Sequence, residues 1–306
     1  MRRKIILDCD PGHDDAIAIM LAGINPQIEL LGISVTSGNQ TIEKTARNAF
    51  NVARYLDINC PIAVGNGFPI VREREICEAI HGESGLDGFT FPEYKYEYDS
   101  RDAVNFIIDL CLAHEKVTVV TTGPMTNLAL ALRVNPLIKE HIEEIIFMGG
   151  STTNGNVTPA AEFNILCDPE AAYIVLKSGI PTKMVGLNVT RKVMVIPEAI
   201  ERMDKINNKA SKLFVDLMRV FSANQMKTFK SYGPLHDPVT IVSLIDNECV
   251  KYQDMNVEID ISHGTSYGRT NCDGYDYQKK EHNCQVAVDI DVNKFWDIIE
   301  DNIKRY

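Results

Sequence analysis

The chain has 306 residues, 45% apolar and 24% charged, enough for one large buried core and too apolar for a disordered chain. Lys plus Arg number 31 against 42 Asp plus Glu, a net charge of −11, which argues against nucleic acid and anionic membrane surfaces as partners. No apolar run reaches the roughly 18 to 20 residues of a bilayer span, and the apolar stretch Ile5 to Leu7 is too short for a signal peptide, so a cytoplasmic protein is expected.

Lys4 to Asp8 predicts a first strand, Asp14 to Gly23 a buried helix, and Leu30 to Thr36 a second strand. From Thr41 to Leu56, Ile42, Ala46, Ala49, Val52, Ala53 and Leu56 recur at spacings of three and four, the pattern of an amphipathic helix. Cys60 to Val64 predicts a third strand. Gly65 to Ser100, rich in Gly, Pro and charge, predicts a long surface excursion, of a length that is usually functional. A helix from Arg101 to His114, a strand from Val117 to Thr121, a helix from Met125 to Arg133 and a strand from Ile142 to Met148 follow. Beyond a Gly-rich loop, Pro169 to Ser178 predicts a helix and Lys183 to Leu187 a strand. The last third predicts helices over Pro197 to Met203, Ala210 to Thr228, Pro238 to Leu244 and Asn293 to Lys304, with strands over Asn256 to Ile261 and Gln285 to Asp289. Strands alternating with helices imply an α/β fold with an open, mainly parallel sheet flanked by helices. With no repeat and no linker, residues 1–306 are expected to form a single domain.

Eight scattered cysteines without a C-x-x-C pair indicate neither a disulfide framework nor a zinc ribbon. The chemistry concentrates in Asp8-Cys9-Asp10-Pro11-Gly12-His13-Asp14-Asp15, four carboxylates within eight residues at the carboxyl end of the first strand. Such a cluster repels itself unless neutralised, and oxygen donors of this density suit a hard cation, Ca²⁺ or Mg²⁺. Helix capping accounts for one or two of the four at most. Ligands gather at the carboxyl ends of strands in open parallel sheets. Gly38-Asn39, Thr122-Gly123-Pro124 and the Gly149-Gly150 loop leading to Asn156, Glu162 and Asn164 are all expected at that edge.

The octapeptide resembles the D-x-D-P-G-x-D-D signature of the nucleoside hydrolases. The similarity continues in order through Gly38-Asn39-Gln40-Thr41, Ile80-His81-Gly82-Glu83-Ser84-Gly85, Gly123-Pro124-Met125-Thr126-Asn127, Met148-Gly149-Gly150, Ala161-Glu162-Phe163-Asn164 and His236-Asp237-Pro238. The resemblance implies the nucleoside hydrolase fold and calcium-dependent hydrolysis of the N-glycosidic bond of ribonucleosides (uridine, cytidine, inosine), giving free base and ribose in nucleoside salvage. It implies that Asp10, Asp15, Asp237 and the Thr122 carbonyl bind Ca²⁺, with Asp10 also the general base toward a calcium-bound water. Asp14, Asn39 and Asn164 would hold the ribose 2′- and 3′-hydroxyls, Asn156 and Glu162 the 5′-hydroxyl, and Phe163 would pack on the sugar. His236 would be the acid for the leaving base, with His81 flanking that base. The only tryptophan, Trp296, lies away from these blocks, so the chain is similar to the histidine-using, inosine-uridine or pyrimidine-preferring branch. A homo-oligomer, tetramer or dimer, is also implied.

Other readings of the acidic cluster fit less well. A phosphatase of the D-x-D-x-[TS] type needs Thr or Ser where Gly12 stands, and an EF-hand loop begun at Asp8 would have His13 in place of its glycine and Ile19 in place of its last glutamate. His13 is expected to pack rather than react, and His263, His282, Tyr267, Tyr275 and Tyr277 to lie at the surface. Residues 225–232 are expected to border the base, and the 65–100 excursion offers a lid near His81.

Overall fold

Strand β1 (Arg3–Cys9) lies near the middle of the sheet, and its side chains alternate between two cores. Ile5, Leu7 and Cys9 join one cluster and Ile6 the other, all with no exposed surface. This period of two is what a strand covered by helices on both faces requires. The structure, a computed structural model, describes residues 2–306. Among them the remaining strands are β2 (Ile28–Val35), β3 (Ile62–Val64), β4 (Val117–Thr121), β5 (Ile142–Met148), β6 (Thr182–Val185), β7 (Val250–Ile259), β8 (Thr270–Asp273) and β9 (Cys284–Ile290).

The strands form one sheet in the order β3-β2-β1-β4-β5-β6-β9-β7-β8. It is parallel from β3 to β9 and antiparallel through β7 and β8. The mainly parallel α/β architecture expected from the alternation is therefore present. The order reverses between β1 and β4, so the connections leaving their carboxyl ends diverge and open a crevice there. Helix α1 (His13–Ile24) follows β1 and is buried along most of its length, because α2 (Ile42–Tyr55) and three C-terminal helices pack around it: α10 (Lys209–Phe229), α11 (Pro238–Ile245) and α12 (Val292–Ile303), with α9 (Pro197–Asp204) against α10 and α12. On the other face α4 (Ala103–Ala113), α5 (Thr126–Val134) and α7 (Pro169–Leu176) pack together over Ile6, Val117 and Val119.

The differences from the sequence expectations are local. β7 begins at Val250, six residues before the expected strand, because its exposed first half alternates little, yet pairs with β9 from Val250↔Ile290 onward. The polar strand β8 was not foreseen; it pairs with β7, and antiparallel edge strands need only one apolar face. The turns α3 (Glu78–His81), α6 (Phe163–Cys167) and α8 (Leu187–Thr190) were also missed, being shorter than a sequence period can reveal. The strand expected to reach Leu187 ends at Val185. Tyr275 and Tyr277 are exposed as expected, whereas Tyr267 is half-buried and its hydroxyl donates to Glu170. Among the described residues no helix is long and apolar enough to cross a membrane.

Candidate active site

The sheet brings the expected polar residues to one cavity of about 490 Å³ at the β1/β4 crevice, a volume in the range of small-ligand sites. Asp14, Asn39, His81, Thr122, Asn156, Glu162, Phe163, Asn164, His236 and Asp237 all line it. Asp10 and Asp15 lie beneath them with no exposed surface.

The loop after β2 shapes the carboxylate pair. The Asn39 backbone N–H donates to Asp10 Oδ2 at 2.6 Å, and its side-chain amide donates to the Asp10 carbonyl and to Asp15 Oδ2 at 3.1 and 3.0 Å. Asp15 also accepts from the Gly12 N–H at 3.0 Å and from Thr122 Oγ1 at 2.7 Å. Two glycines let Asp10 sit this close to the backbone: a Cβ at Gly38 would stand 2.1 Å from Asp10 Oδ2, and one at Gly123 would stand 2.5 Å from Oδ1.

Asp14, Asp15 and Asp237 each place a carboxylate oxygen within 4.8 Å of the other two, in an arrangement that could hold a metal ion. The trio contains Asp14 where the family resemblance implies Asp10. Asp10 sits next to it with Oδ1 fully buried and without a hydrogen-bond partner. Among the described residues, no lysine, arginine or histidine forms an ion pair with any of these four carboxylates. Burial, followed by the charge of Asp15, pushes the Asp10 carboxyl well above its ordinary range. The same causes raise Asp14 to about 7, and burial followed by the Asp14 and Asp15 charges drives Asp237 up strongly. Dense oxygen donors with one buried oxygen unpaired fit a hard divalent cation.

Asn164 donates from Nδ2 to the Thr122 carbonyl at 2.7 Å and to the Met148 carbonyl at 3.1 Å, which ties β4, β5 and α6 together. Glu162 caps α6: its carboxylate accepts from the N–H groups of Asn164, Ile165 and Gly150 at 2.9, 3.2 and 2.9 Å. Burial nonetheless lifts it to about 7. Three amides leave such a carboxylate about one open acceptor position. Asn156 Oδ1 accepts the Phe163 N–H at 2.9 Å.

His236 Nδ1 lies 2.6 Å from Thr190 Oγ1. Burial, then the nearby Arg191 charge, lowers the ring to about 3, so the imidazole is neutral in the free protein. Thr190, Arg191 and Phe221 escaped the sequence reading because they lie far from every motif block; only their placement by α8 and α10 brings them here. Of residues 225–232, Gln225, Phe229, Ser231 and Tyr232 lie on the cavity wall.

The end of the excursion that carries His81 is anchored. Asn48 and Asn224 donate to the carbonyls of Ser84 and Ile80 at 2.9 Å each, and Gln40 donates to the Gly82 carbonyl at 3.2 Å. Gly12 is the point of closest approach, since its Cβ would stand 2.5 Å from His81 Nδ1 and 2.8 Å from Asn39 Nδ2. Gly12→Ala, at a φ of −102° that any residue adopts, is therefore expected to displace both side chains. A shift on that scale should lower kcat/KM by roughly a hundredfold, while the melting temperature falls by only a few degrees, the cost of about 1–3 kcal/mol of local overpacking. Steady-state kinetics and a thermal melt on one preparation check this.

The sequence profile of the family described as inosine-uridine preferring nucleoside hydrolase matches residues 5–297. The pyrimidine-specific ribonucleoside hydrolase RihB of Escherichia coli strain K12 is 44% identical over 307 residues, covering 100% of this chain and 98% of its own. Among solved structures, the purine-preferring ribonucleoside hydrolase from Gardnerella vaginalis is 33% identical, with a TM-score of 0.91 and 99% of each chain covered. An inosine-guanosine nucleoside hydrolase is 28% identical, with the same TM-score and coverage. From the β1/β4 crevice to the C-terminal helix, the chain belongs to the inosine-uridine preferring nucleoside hydrolase family and is a ribonucleoside hydrolase.

Proposed function

We propose that this enzyme, acting as one domain, hydrolyses ribonucleosides with a preference for pyrimidines, uridine and cytidine ahead of inosine, and that it depends on Ca²⁺. The observation that carries the reading is the set of buried, unneutralised carboxylates at one end of a nucleoside-sized cavity. The base preference leans on the 44% identity to a hydrolase named as pyrimidine-specific. Eight free cysteines suit the reducing cytoplasm, and assembly as a homo-oligomer, tetramer or dimer, completes the proposal.

Asp15 and Asp237, with Asp10 and Asp14 beside them and the Thr122 carbonyl adjacent, would hold the cation. Calcium there supplies charge compensation and Lewis acidity toward oxygen donors. Asp10, held by the Asn39 N–H and raised by burial, takes the proton from the attacking water as general base. The sugar gains positive charge as its C–N bond breaks, and the surrounding carboxylates stabilise that state more than the neutral substrate. Asp14, Asn39 and Asn164 hold the 2′- and 3′-hydroxyls, Asn156 and the open position of Glu162 the 5′-hydroxyl, and Phe163 packs against the ribose. To serve as the acid, the neutral His236 must first take up a proton from water, and negative charge building on the departing base raises its affinity for that proton; the resulting imidazolium then gives it to the base.

The test is ribose release from uridine, cytidine, inosine and p-nitrophenyl riboside by chelated and calcium-restored protein. Calcium-dependent release, fastest for the pyrimidines, is expected; faster inosine turnover reverses the base preference, and release that ignores chelation removes the metal. Deoxyuridine should be turned over at least about a hundredfold less efficiently than uridine, because losing the 2′-hydroxyl strands desolvated polar partners. Equal kcat/KM values would remove Asp14, Asn39 and Asn164 from the sugar.

A further inference from the structure

His81 is held at its Nδ1 edge by the first turn of α1. The His13 backbone N–H donates to His81 Nδ1 at 3.2 Å. This N–H belongs to the first turn of a helix, which has no partner within the helix, and His13 has no exposed surface, so no water replaces it. If the imidazole were turned over, a C–H would face this amide and leave it unsatisfied. The glycine at position 12 creates the space, because any Cβ there would overlap His81 Nδ1 and Cε1.

The second contact leads to the same hydrogen-bond direction. His13 Nδ1 also lies 3.2 Å from His81 Nδ1, while His13 Nε2 lies 2.8 Å from the Asp87 carbonyl, which can only accept. His13 therefore carries its proton on Nε2. If His13 had a second proton, that proton would point at His81 Nδ1, which would again be the acceptor. A proton on His81 Nδ1 would instead collide with the His13 amide hydrogen. It would also turn the positive end of the ring N–H dipole toward the positive end of the α1 dipole.

The opposite edge of the ring is open. His81 Nε2 makes no hydrogen bond to any described residue, yet it is not among the fully enclosed unpartnered atoms, and His81 lines the cavity together with His236 and Phe221. Phe221 stacks on the His81 ring at a centroid distance of 6.1 Å, and His13 stacks on it at 5.4 Å, so the ring plane is fixed.

From this geometry we infer that His81 is a specificity residue locked by α1 as the Nε2–H tautomer, a neutral donor that reads a hydrogen-bond acceptor on the base next to the glycosidic bond, such as the carbonyl oxygen of a pyrimidine. It does not deliver the proton to the leaving group, since a neutral ring that gave up its Nε2 proton would become an imidazolate. His13 is the positioning residue, acting through its backbone amide. The inference rests on the proposed nucleoside reading for its ligand, while the tautomer itself is a property of the free protein.

Two measurements test it separately. In protein selectively ¹⁵N-labelled at histidine, with the His81 signals assigned by their loss in His81→Gln, Nδ1 should resonate as an unprotonated nitrogen and Nε2 as a protonated one at neutral pH. The reverse pattern, or an imidazolium, overturns the proposal whether or not the protein turns over nucleosides. Kinetically, His81→Gln can place an amide N–H near the Nε2 position, whereas the shorter His81→Asn cannot. His81→Asn should lose roughly ten- to a hundredfold in kcat/KM on uridine, the cost of stranding one buried acceptor. His81→Gln should recover most of that, and p-nitrophenyl riboside, whose ring carries no carbonyl beside the bond that breaks, should be nearly indifferent to both. Equal losses on uridine and on p-nitrophenyl riboside would mean that His81 only supports the cavity wall and would overturn the specificity role.

Discussion

Asp10→Asn is expected to lower kcat on uridine by roughly 10³-fold or more, at the upper end of what a single general base contributes, with a much smaller change in KM. The side chain has no exposed surface, and one oxygen is fixed by the Asn39 N–H at 2.6 Å while the other is unpaired. Burial and the Asp15 charge make this carboxylate a stronger base than one on the surface. Asparagine keeps the shape and can still accept the Asn39 N–H, so the fold is preserved while the basicity is lost. Removing one of several like charges should also leave the metal-free variant melting no lower than the parent, which separates lost chemistry from lost structure. A kcat within tenfold of the parent, with calcium saturating, would take the base role away from Asp10.

Stripping the divalent cation is expected to lower the melting temperature by roughly 10 °C near pH 8, since a ligand bound only by the folded state stabilises it. The pH dependence of the stripped protein follows from the cluster. Asp14 is raised to about 7 and Asp8 to about 6, from an ordinary 3.8, chiefly by burial. The folded state thus binds more protons than the unfolded chain between roughly pH 4 and 7, and stability falls as pH rises through that window. The buried histidines act in the opposite sense: His13 and His236 are held down to about 4 and about 3 from 6.5, again chiefly by burial. They weaken the fold only below about pH 6.5, where the unfolded chain takes up their protons. The metal-free protein should therefore gain stability from pH 8 down to about 6.5 and then level off. Calcium, which favours the ionised carboxylates, should add most at the alkaline end. Thermal melts with chelator and with calcium across this range decide it, and a calcium increment that grows on acidification would contradict the carboxylate cluster as the binding site.

Much of the fold was legible because burial on both faces of a parallel sheet forces apolar runs that pattern alone reveals. Ile142 to Met148 was located to the residue, and the amphipathic face of α2 was identified through Ala46, Ala49, Val52 and Leu56. What failed was short or polar. α6 is set by the Glu162 cap rather than by periodicity, and β8 by its pairing with β7. The acidic octapeptide also announced itself, because four carboxylates after a buried strand have few explanations other than a cation.

Which residues carry charge, and where the chain turns from strand to helix, could be read from neighbours a few positions apart. The sequence determined too, through the ordered motif blocks, the family to which the chain belongs. Which carboxylates share one point in space is a property of the folded chain, which places Asp237 against Asp14 and Asp15 across more than two hundred residues. Only it set the direction of hydrogen bonds: the His13 amide that fixes His81, Thr190 behind His236, and Asn164 on the Thr122 carbonyl. The physical reason is range. Periodicity and capping act within a turn or two of chain, whereas pKa values, tautomers and cation sites depend on burial and on charges from distant segments, and these exist only once the sheet order has brought β1, β4 and the N-terminus of α11 together.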